Sequence, residues 1–417
     1  MNILGIRIGH NASAAITVDG TIVANIMEER FTRIKNDGSF PERAIQYCLD
    51  ESGLHSENLD VIALPNVNVP KPIFAFFKPY NDNYNINYRI PDKVDIYLKR
   101  KRDEIKGIPR LPIYIEPWKI RDDCQIYCID HHLGHASSAY FTSGLNKESL
   151  IYTVDGRGDN ISTAIWKGTK GKKITLLKRW NGDSSLGWFY SLVTESLSWR
   201  HGSEEWKVMG LAPYGKPKPG ILDGFHPVYK KGKLKFGYPF GGADRWPDHG
   251  TNHYHFRSAH KVKSIVEKEG RETVAAEVQR ISEEQLFELV LPWVDKTGIK
   301  NTCFAGGFFL NVKANQKLWE TGKLDEQWVY PDAGDSGLPI GVCLYVNQEK
   351  RSDDLGRIKT IYHGPSFTNE EIQQILNDRG IQYTYESEIE HVTAELLAQN
   401  YIIGWFQDRL EAGPRAL

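Results

Sequence analysis

Apolar and polar residues at the start of the chain follow the two-residue period of half-buried strands. Ile3 to Ile8 form one run, Ala14 to Val18 a second and Thr21 to Met27 a third. Asp19-Gly20 separates the last two runs, and a pair that accepts positive φ at both positions predicts a tight hairpin there. Between the first two runs lies a loop of small and polar residues, Gly9-His10-Asn11-Ala12-Ser13. The period then lengthens, and Glu42 to Ser52 reads as a helix behind Pro41.

The same order recurs later. Leu150 to Val154 reads as a strand, Asp155-Gly156-Arg157-Gly158-Asp159 as a loop and Ile161 to Trp166 as a second strand. Gly168-Thr169-Lys170-Gly171 reads as a turn, Ile174 to Leu177 as a third strand and Leu186 to Trp199 as a helix. The recurrence implies an internal duplication, with halves at about 1–145 and 146–360. Two unrelated hairpins are the plainer alternative. The layout resembles the actin, sugar-kinase and heat-shock ATPase superfamily, whose RNase H-like halves grip phosphates between paired turns. The expected fold is therefore α/β, with two such halves.

Further on, Arg271 to Val294 reads as a long amphipathic helix, Thr302 to Ala305 as a strand, Gly306-Gly307 as a tight turn and Phe308 to Trp319 as a helix. From Ile361 a separate α+β segment is expected, with a helix near Asn369 to Asp378 and strands near Gln382 to Tyr385 and Ile402 to Phe406. Residues 66–120 and 214–258 read as long irregular insertions.

Composition narrows the class. Hydrophobic residues make up 40% and charged residues 25% of the 417, as in ordinary globular proteins, and the formal net charge of -1 asks for neither nucleic acid nor a membrane. Lys99-Arg100-Lys101-Arg102 is followed by Asp103-Glu104 and reads as a solvated face. Five scattered cysteines argue for a reducing compartment, and Cys124 and Cys128 lack the second pair a zinc site needs. The opening MNILGIRIGHNASAA has no basic, apolar leader pattern, so the expected location is cytoplasmic.

The strongest chemical signal is Asp130-His131-His132-Leu133-Gly134-His135-Ala136, which follows an apolar strand and opens a helix. His131 and His135 stand at i and i+4 on one helix face, where two imidazoles can chelate one cation or simply pack. His132 points elsewhere and reads as structural. A carboxylate must complete such a site. Asp335, in Tyr330-Pro331-Asp332-Ala333-Gly334-Asp335-Ser336-Gly337, is the best candidate, with helix capping as its bland reading and Asp332 as its rival. Two histidines and one carboxylate suit iron, zinc or manganese. Gly306-Gly307 before a helix can admit a nucleotide to the backbone, or can be only a turn. Lys35 or Arg33, in a charged loop, is either solvated or an anion contact. His10 is the titratable group of the first small loop, and the candidate general base for an acceptor hydroxyl.

Together these segments resemble the O-carbamoyltransferases that act on nodulation factors, cephamycin and tobramycin. The matching stretches are Leu4-Gly5-Ile6 with His10 and Ala12-Ser13, Glu28-Glu29-Arg30-Phe31-Thr32-Arg33 through Lys35 to Phe40-Pro41, and Asp130 to Ala136. Val154-Asp155-Gly156, Lys207 to Gly215, Ala305-Gly306-Gly307 to Asn311 and Asp335-Ser336-Gly337 continue it in the family's order. The family's N-terminal domain is similar to the tRNA threonylcarbamoyl-transfer proteins. The resemblance implies that His131, His135 and Asp335 hold a divalent metal, commonly iron. It places Gly306, Gly307 and Asn311 at the nucleotide, and His10, Lys35 and Asp155 around the carbamoyl group and acceptor. Gly404-Trp405-Phe406-Gln407-Asp408-Arg409-Leu410-Glu411 and Gly413-Pro414-Arg415-Ala416-Leu417 match the opening of the family's carbamoyl-adenylate-forming domain, with Arg409 and Arg415 as contacts for carbamoyl phosphate. That unit is therefore expected over 361–417 in truncated form, or completed by a partner. Asn11 departs from the pattern, standing where an acid is common.

The implied reaction uses carbamoyl phosphate and ATP with Mg, passes through carbamoyl-adenylate and ends on the hydroxyl of a small molecule or nucleotide. A kinase or ATPase on the same fold, or a non-catalytic nucleotide-binding subunit, are the rival readings. The acceptor itself is not legible.

Overall fold

The computed structural model describes residues 1–66, 84–87, 118, 120, 121, 123–169, 173–240, 256, 258–351 and 356–414. Arg415 and most of the 66–120 insertion lie outside the described residues. The first sheet contains β1 (Asn2–Arg7), β2 (Ser13–Val18), β3 (Thr21–Met27), β4 (Val61–Leu64), β5 (Tyr84–Asn87) and β6 (Gln125–Ile129), in the order β3-β2-β1-β4-β6-β5. The second contains β7 (Ser149–Gly158), β8 (Ile161–Thr169), β9 (Lys173–Asn181), β12 (Asn301–Ala305) and β13 (Glu326–Val329), in the order β13-β12-β7-β8-β9. A small hairpin, β10 (Val228–Lys230) with β11 (Lys233–Phe236), stands apart within the 214–258 insertion.

The duplication is visible strand by strand. In each sheet an antiparallel meander, β1-β2-β3 or β7-β8-β9, is extended from its first strand by parallel strands, β4 or β12. Even the turns agree. Asp19 and Gly20 have φ 49° and 84°, and Asp159 and Asn160 have 48° and 70°, so both hairpins close on two residues of positive φ. The second turn falls later than the sequence predicts. The chain from Asp155 to Gly158 stays in β7, with a register irregularity between Val154 and Gly158, instead of leaving it as a loop.

Helix Glu42–Ser52 buries Ala44, Ile45, Cys48 and Leu49 against β2 and β3. Its first turn is capped from a distance: the Glu28 carboxylate accepts from the Ala44 N–H at 2.8 Å. Helix His131–Thr142 is buried along its whole length, between the second sheet and helix Leu338–Arg351. Leu338–Arg351 in turn packs on β1, β2 and β4, so the chain returns to the first sheet after finishing the second. The two helices meet at glycines. A Cβ on Gly341 would overlap the Gly134 carbonyl oxygen, and one on Gly134 would press on Leu338 at 3.0 Å. Their core also holds Tyr140, Phe141, Ile340 and Val342.

The expected helix Phe308–Trp319 is split into a single 3-10 turn, Gly307–Leu310, and a helix, Val312–Trp319, that starts afresh at Asn311. In the 361–414 segment the helix Asn369–Asp378 forms behind a Thr368–Glu371 capping box. The strands expected at 382–385 and 402–406 do not form. Tyr385 is 79% and Ile402 100% exposed, and no strand among the described residues offers them a ladder, without which β-propensity alone does not hold a strand. All five cysteines are buried and free. Among the described residues no helix is long and apolar enough to cross a membrane.

Candidate metal and transfer site

The site lies where helix His131–Thr142, β7 and the turn before helix Leu338–Arg351 converge. Asp130 accepts from the Leu133 N–H at 2.9 Å and so starts helix His131–Thr142 at the point that puts His131 and His135 on one face. Their rings stand edge to face, with centroids 4.8 Å apart. β7 brings Asp155 from the second sheet, and the turn before helix Leu338–Arg351 brings Asp335. One donor atom from each of His131, His135, Asp155 and Asp335 lies within 4.8 Å of all the others. His131 Nε2 is 3.3 Å from Asp155 Oδ2 and 3.4 Å from Asp335 Oδ1, and His135 Nε2 is 3.5 Å from the same Asp335 oxygen. Gly158 makes room for this, since a Cβ there would overlap the His131 ring.

Each carboxylate gives one oxygen to the cluster and the other to a fixed donor. Asp155 Oδ1 accepts from the Gly307 N–H at 2.9 Å, and Asp335 Oδ2 accepts from Arg7 Nη2 at 2.7 Å. Burial alone would raise both acids. Instead, Arg7 and then His131 hold Asp335 well below the usual carboxylate range, and the histidines hold Asp155 at about 2. Burial would lower His131, but the two aspartates raise it to about 10. Two anions thus converge on buried imidazoles, and neither ring nitrogen of His135 has a hydrogen-bond partner. Two nitrogens and two oxygens fit a divalent iron, zinc or manganese ion, which would take the place of the proton on His131.

His132 points away, as its sequence position implies. Nδ1 meets the Thr153 hydroxyl at 2.8 Å and Nε2 meets the Ile161 carbonyl at 2.9 Å; burial pushes its pKa down to about 3, so it is a neutral packing residue. Asp332 stays out of the cluster, buried and accepting from the Ser336 hydroxyl.

His10 lies in the loop after β1, within the field of the cluster. Burial lowers its pKa, and Asp335, Arg7, Asp155 and Arg200 act on it in turn. Lys35 is exposed. Its charge reaches Glu204, which is held low first by the Arg200 N–H, then by Lys207, with a smaller contribution from Lys35.

The glycine pair serves the backbone. Gly306 has φ 106°, and a Cβ there would overlap the Val154 carbonyl; the Gly307 N–H is taken by Asp155. Asn311 is buried and engaged. Its Oδ1 caps the Ala314 N–H at 3.0 Å, and its amide exchanges hydrogen bonds with that of Gln279 at 3.0 and 3.1 Å. Arg409 packs against helix Glu42–Ser52. It donates to the Gly364 and His363 carbonyls at 2.9 and 3.0 Å and to the Tyr47 hydroxyl at 3.1 Å, and pairs with Glu51 at 3.0 Å. The sequence reading passes over Arg7. The available signal is a full charge inside the apolar run Ile3 to Ile8, a position that needs a partner where it is buried.

Two α/β halves of matching strand order, with a histidine–aspartate cluster between them, define the class of protein. The chain belongs to the carbamoyltransferase family: residues 2–344 match the model described as Carbamoyltransferase N-terminus. Uncharacterized protein sll1178 of Synechocystis is 31% identical over 98% of this chain and 68% of its own length. Nodulation protein NolNO of Sinorhizobium fredii is 30% identical over 98% of this chain and 57% of its own. The chain thus spans between about half and three quarters of the full-length relatives it matches across nearly all of its own length. Among solved structures, component A of the (R)-2-hydroxyglutaryl-CoA dehydratase of Acidaminococcus fermentans covers 84% of this chain and 98% of its own at 15% identity, with a TM-score of 0.47. T. kodakarensis HypF covers 84% of this chain and 48% of its own at 11% identity, with a TM-score of 0.41.

Proposed function

We propose that the protein transfers a carbamoyl group from carbamoyl phosphate, by way of carbamoyl-adenylate, to an acceptor hydroxyl, and that His131, His135, Asp155 and Asp335 hold a divalent cation beside the reacting group. The observation that carries the reading is the convergence of these four donors, with both nitrogens of buried His135 unpartnered, in a chain of carbamoyltransferase family. The cation, when bound, supplies Lewis acidity toward phosphate or carbonyl oxygens.

Carbamoyl phosphate loses phosphate to water and leaves carbamate. A carbamate oxygen attacks the α-phosphorus of ATP, giving carbamoyl-adenylate and pyrophosphate. The acceptor oxygen then attacks the carbamoyl carbon, the bond to the adenylate oxygen breaks, and AMP leaves. His10 takes the hydroxyl proton. Burial favours its neutral form, which has a lone pair to accept that proton near neutral pH. Gly307 holds Asp155 in place, and Gly306 lets that backbone pass close to β7. In this reading Lys35 contacts anionic substrate from the rim, Asn311 acts at the nucleotide by fixing the start of helix Val312–Trp319, and Arg409 with Arg415 belongs to adenylate formation.

The test is incubation with ATP, carbamoyl phosphate and a panel of sugar, aminoglycoside and nucleoside alcohols, read by mass spectrometry. Carbamoylated acceptor with stoichiometric AMP, lost in His10→Gln, is the expected result. ADP with a phosphorylated acceptor would instead make the protein a kinase.

A further inference from the structure

Arg7 ends β1 with a charged side chain that is only 12% exposed, against an Asp335 that is 14% exposed. Its guanidinium makes a fork. Nη2 donates to Asp335 Oδ2 at 2.7 Å, and Nη1 donates to the Ile8 carbonyl at 2.5 Å. With the Asn66 amide turned so that its nitrogen donates to the Pro65 carbonyl, its oxygen also accepts from Nη1, at 3.2 Å. Arg7 is thus held on one side by β1 and the loop after β4, and holds one carboxylate oxygen on the other. The remaining oxygen, Oδ1, is the one that faces both imidazoles.

We infer that Arg7 is a positioning residue that restricts Asp335 to one metal-binding oxygen and so keeps a coordination position open for an anionic substrate. The inference rests on the cation site proposed above. A planar guanidinium held by two further acceptors fixes both the rotation and the charge of its carboxylate, which a hydrated, flexible ammonium does not. Asp155 is restrained in the same sense by a different donor, since the Gly307 N–H takes its Oδ1 while Oδ2 faces His131. The four residues therefore offer four single donors. Six-coordinate ions then keep two positions for substrate oxygens. Released from Arg7, Asp335 can turn both oxygens to the ion and fill one of those positions. Arg7 also places a positive charge beside Asp335, which favours an anion over water in the open position.

The test uses the whole chain loaded with cobalt(II), whose visible absorption reports coordination number. Metal stoichiometry, the spectrum and its response to added AMP are compared for the native protein, Arg7→Gln and Arg7→Lys, each checked for folding by circular dichroism. Both variants are expected to retain cobalt, to show a weaker visible band as coordination rises, and to lose part or all of the AMP-induced shift, Arg7→Gln more than Arg7→Lys. A folded variant of either kind with the native spectrum and the native AMP response overturns the inference. If Arg7→Gln does not fold, Arg7→Lys decides alone, because it keeps the charge and loses the fork. A native protein that takes up no cobalt defeats the cation site itself, a result distinct from variants that match the native one.

Discussion

His135 Nε2 stands 3.5 Å from Asp335 Oδ1, and neither nitrogen of that fully buried ring makes a hydrogen bond. A buried polar group without a partner costs about 1–3 kcal/mol, so the arrangement makes physical sense when something sits between the two residues. His135→Ala and Asp335→Asn should each lower bound metal by at least the 10–100-fold that loss of a mere supporting partner costs. Elemental analysis after dialysis against graded chelator measures this. Full metal content in both variants would remove the site.

Asp332 carries a different kind of strain. Burial first raises its carboxyl from 3.8 to about 7, against the opposing pull of Ser336, Asn25 and Arg30. The folded state therefore holds this proton more tightly than the unfolded chain. Its advantage is complete below about pH 4, declines as the pH climbs toward 7, and above that the fold carries a buried charge. Asp332→Asn keeps the acceptor for Ser336 and removes the charge. Its thermal midpoint should match the native protein near pH 4 and exceed it at pH 8, by on the order of 2–4 kcal/mol in stability. Equal midpoints at both pH values would show that the carboxyl is not held protonated.

Asn311 caps helix Val312–Trp319 and locks to Gln279, whose Oε1 also accepts from the Tyr190 hydroxyl at 2.9 Å. Asn311→Ala should cost about 0.5–2 kcal/mol for the cap and more for the stranded Gln279 amide. Urea unfolding would show this as a lower midpoint with an unchanged slope. Metal content should stay native, because Asn311 supplies none of the four donors.

Arg409 ties the 361–414 segment to helix Glu42–Ser52 through Tyr47 and Glu51. In Arg409→Ala, the amides that link the segment's ends, Gly364 N–H to Leu410 O and Ala412 N–H to Ile361 O, should exchange with deuterium faster. Exchange within helix His131–Thr142 should not change. Native exchange at Gly364 and Ala412 would assign Arg409 no such role.

Much of this architecture is legible in the chain because local and tertiary signals agree. Asp19-Gly20 forms the hairpin that its φ demands, and Glu42 to Ser52 forms the helix that its apolar spacing demands. His131 and His135 are legible for the same reason, since i and i+4 share a helix face whatever surrounds them. What escapes is set by distant partners. Asp155 reads as a loop residue because β7 runs on past Val154 only through the pairing of Gly158 with Ile161 of β8, which nothing local announces. Gly307 reads as a phosphate cradle because nothing local shows that Asp155 takes its N–H. Arg7 reads as a strand end because its partner, Asp335, lies more than three hundred positions away. Ile402 and Phe406 carry strand propensity, yet no neighbour among the described residues turns it into a strand.

The touching glycines Gly134 and Gly341 have a consequence for how this protein can change. His135 follows one of them, and Asp335 lies just ahead of the helix that carries the other, so the separation of two donors is set where Gly341 rests on the main chain of Gly134. A single methyl added at Gly341 would act as a wedge against the Gly134 carbonyl, prising the two donors apart far from any substrate. Tolerance to substitution should therefore be lowest at a place with no chemistry of its own, and sequence drift in this fold is free to reshape the rim long before it can reshape the seam.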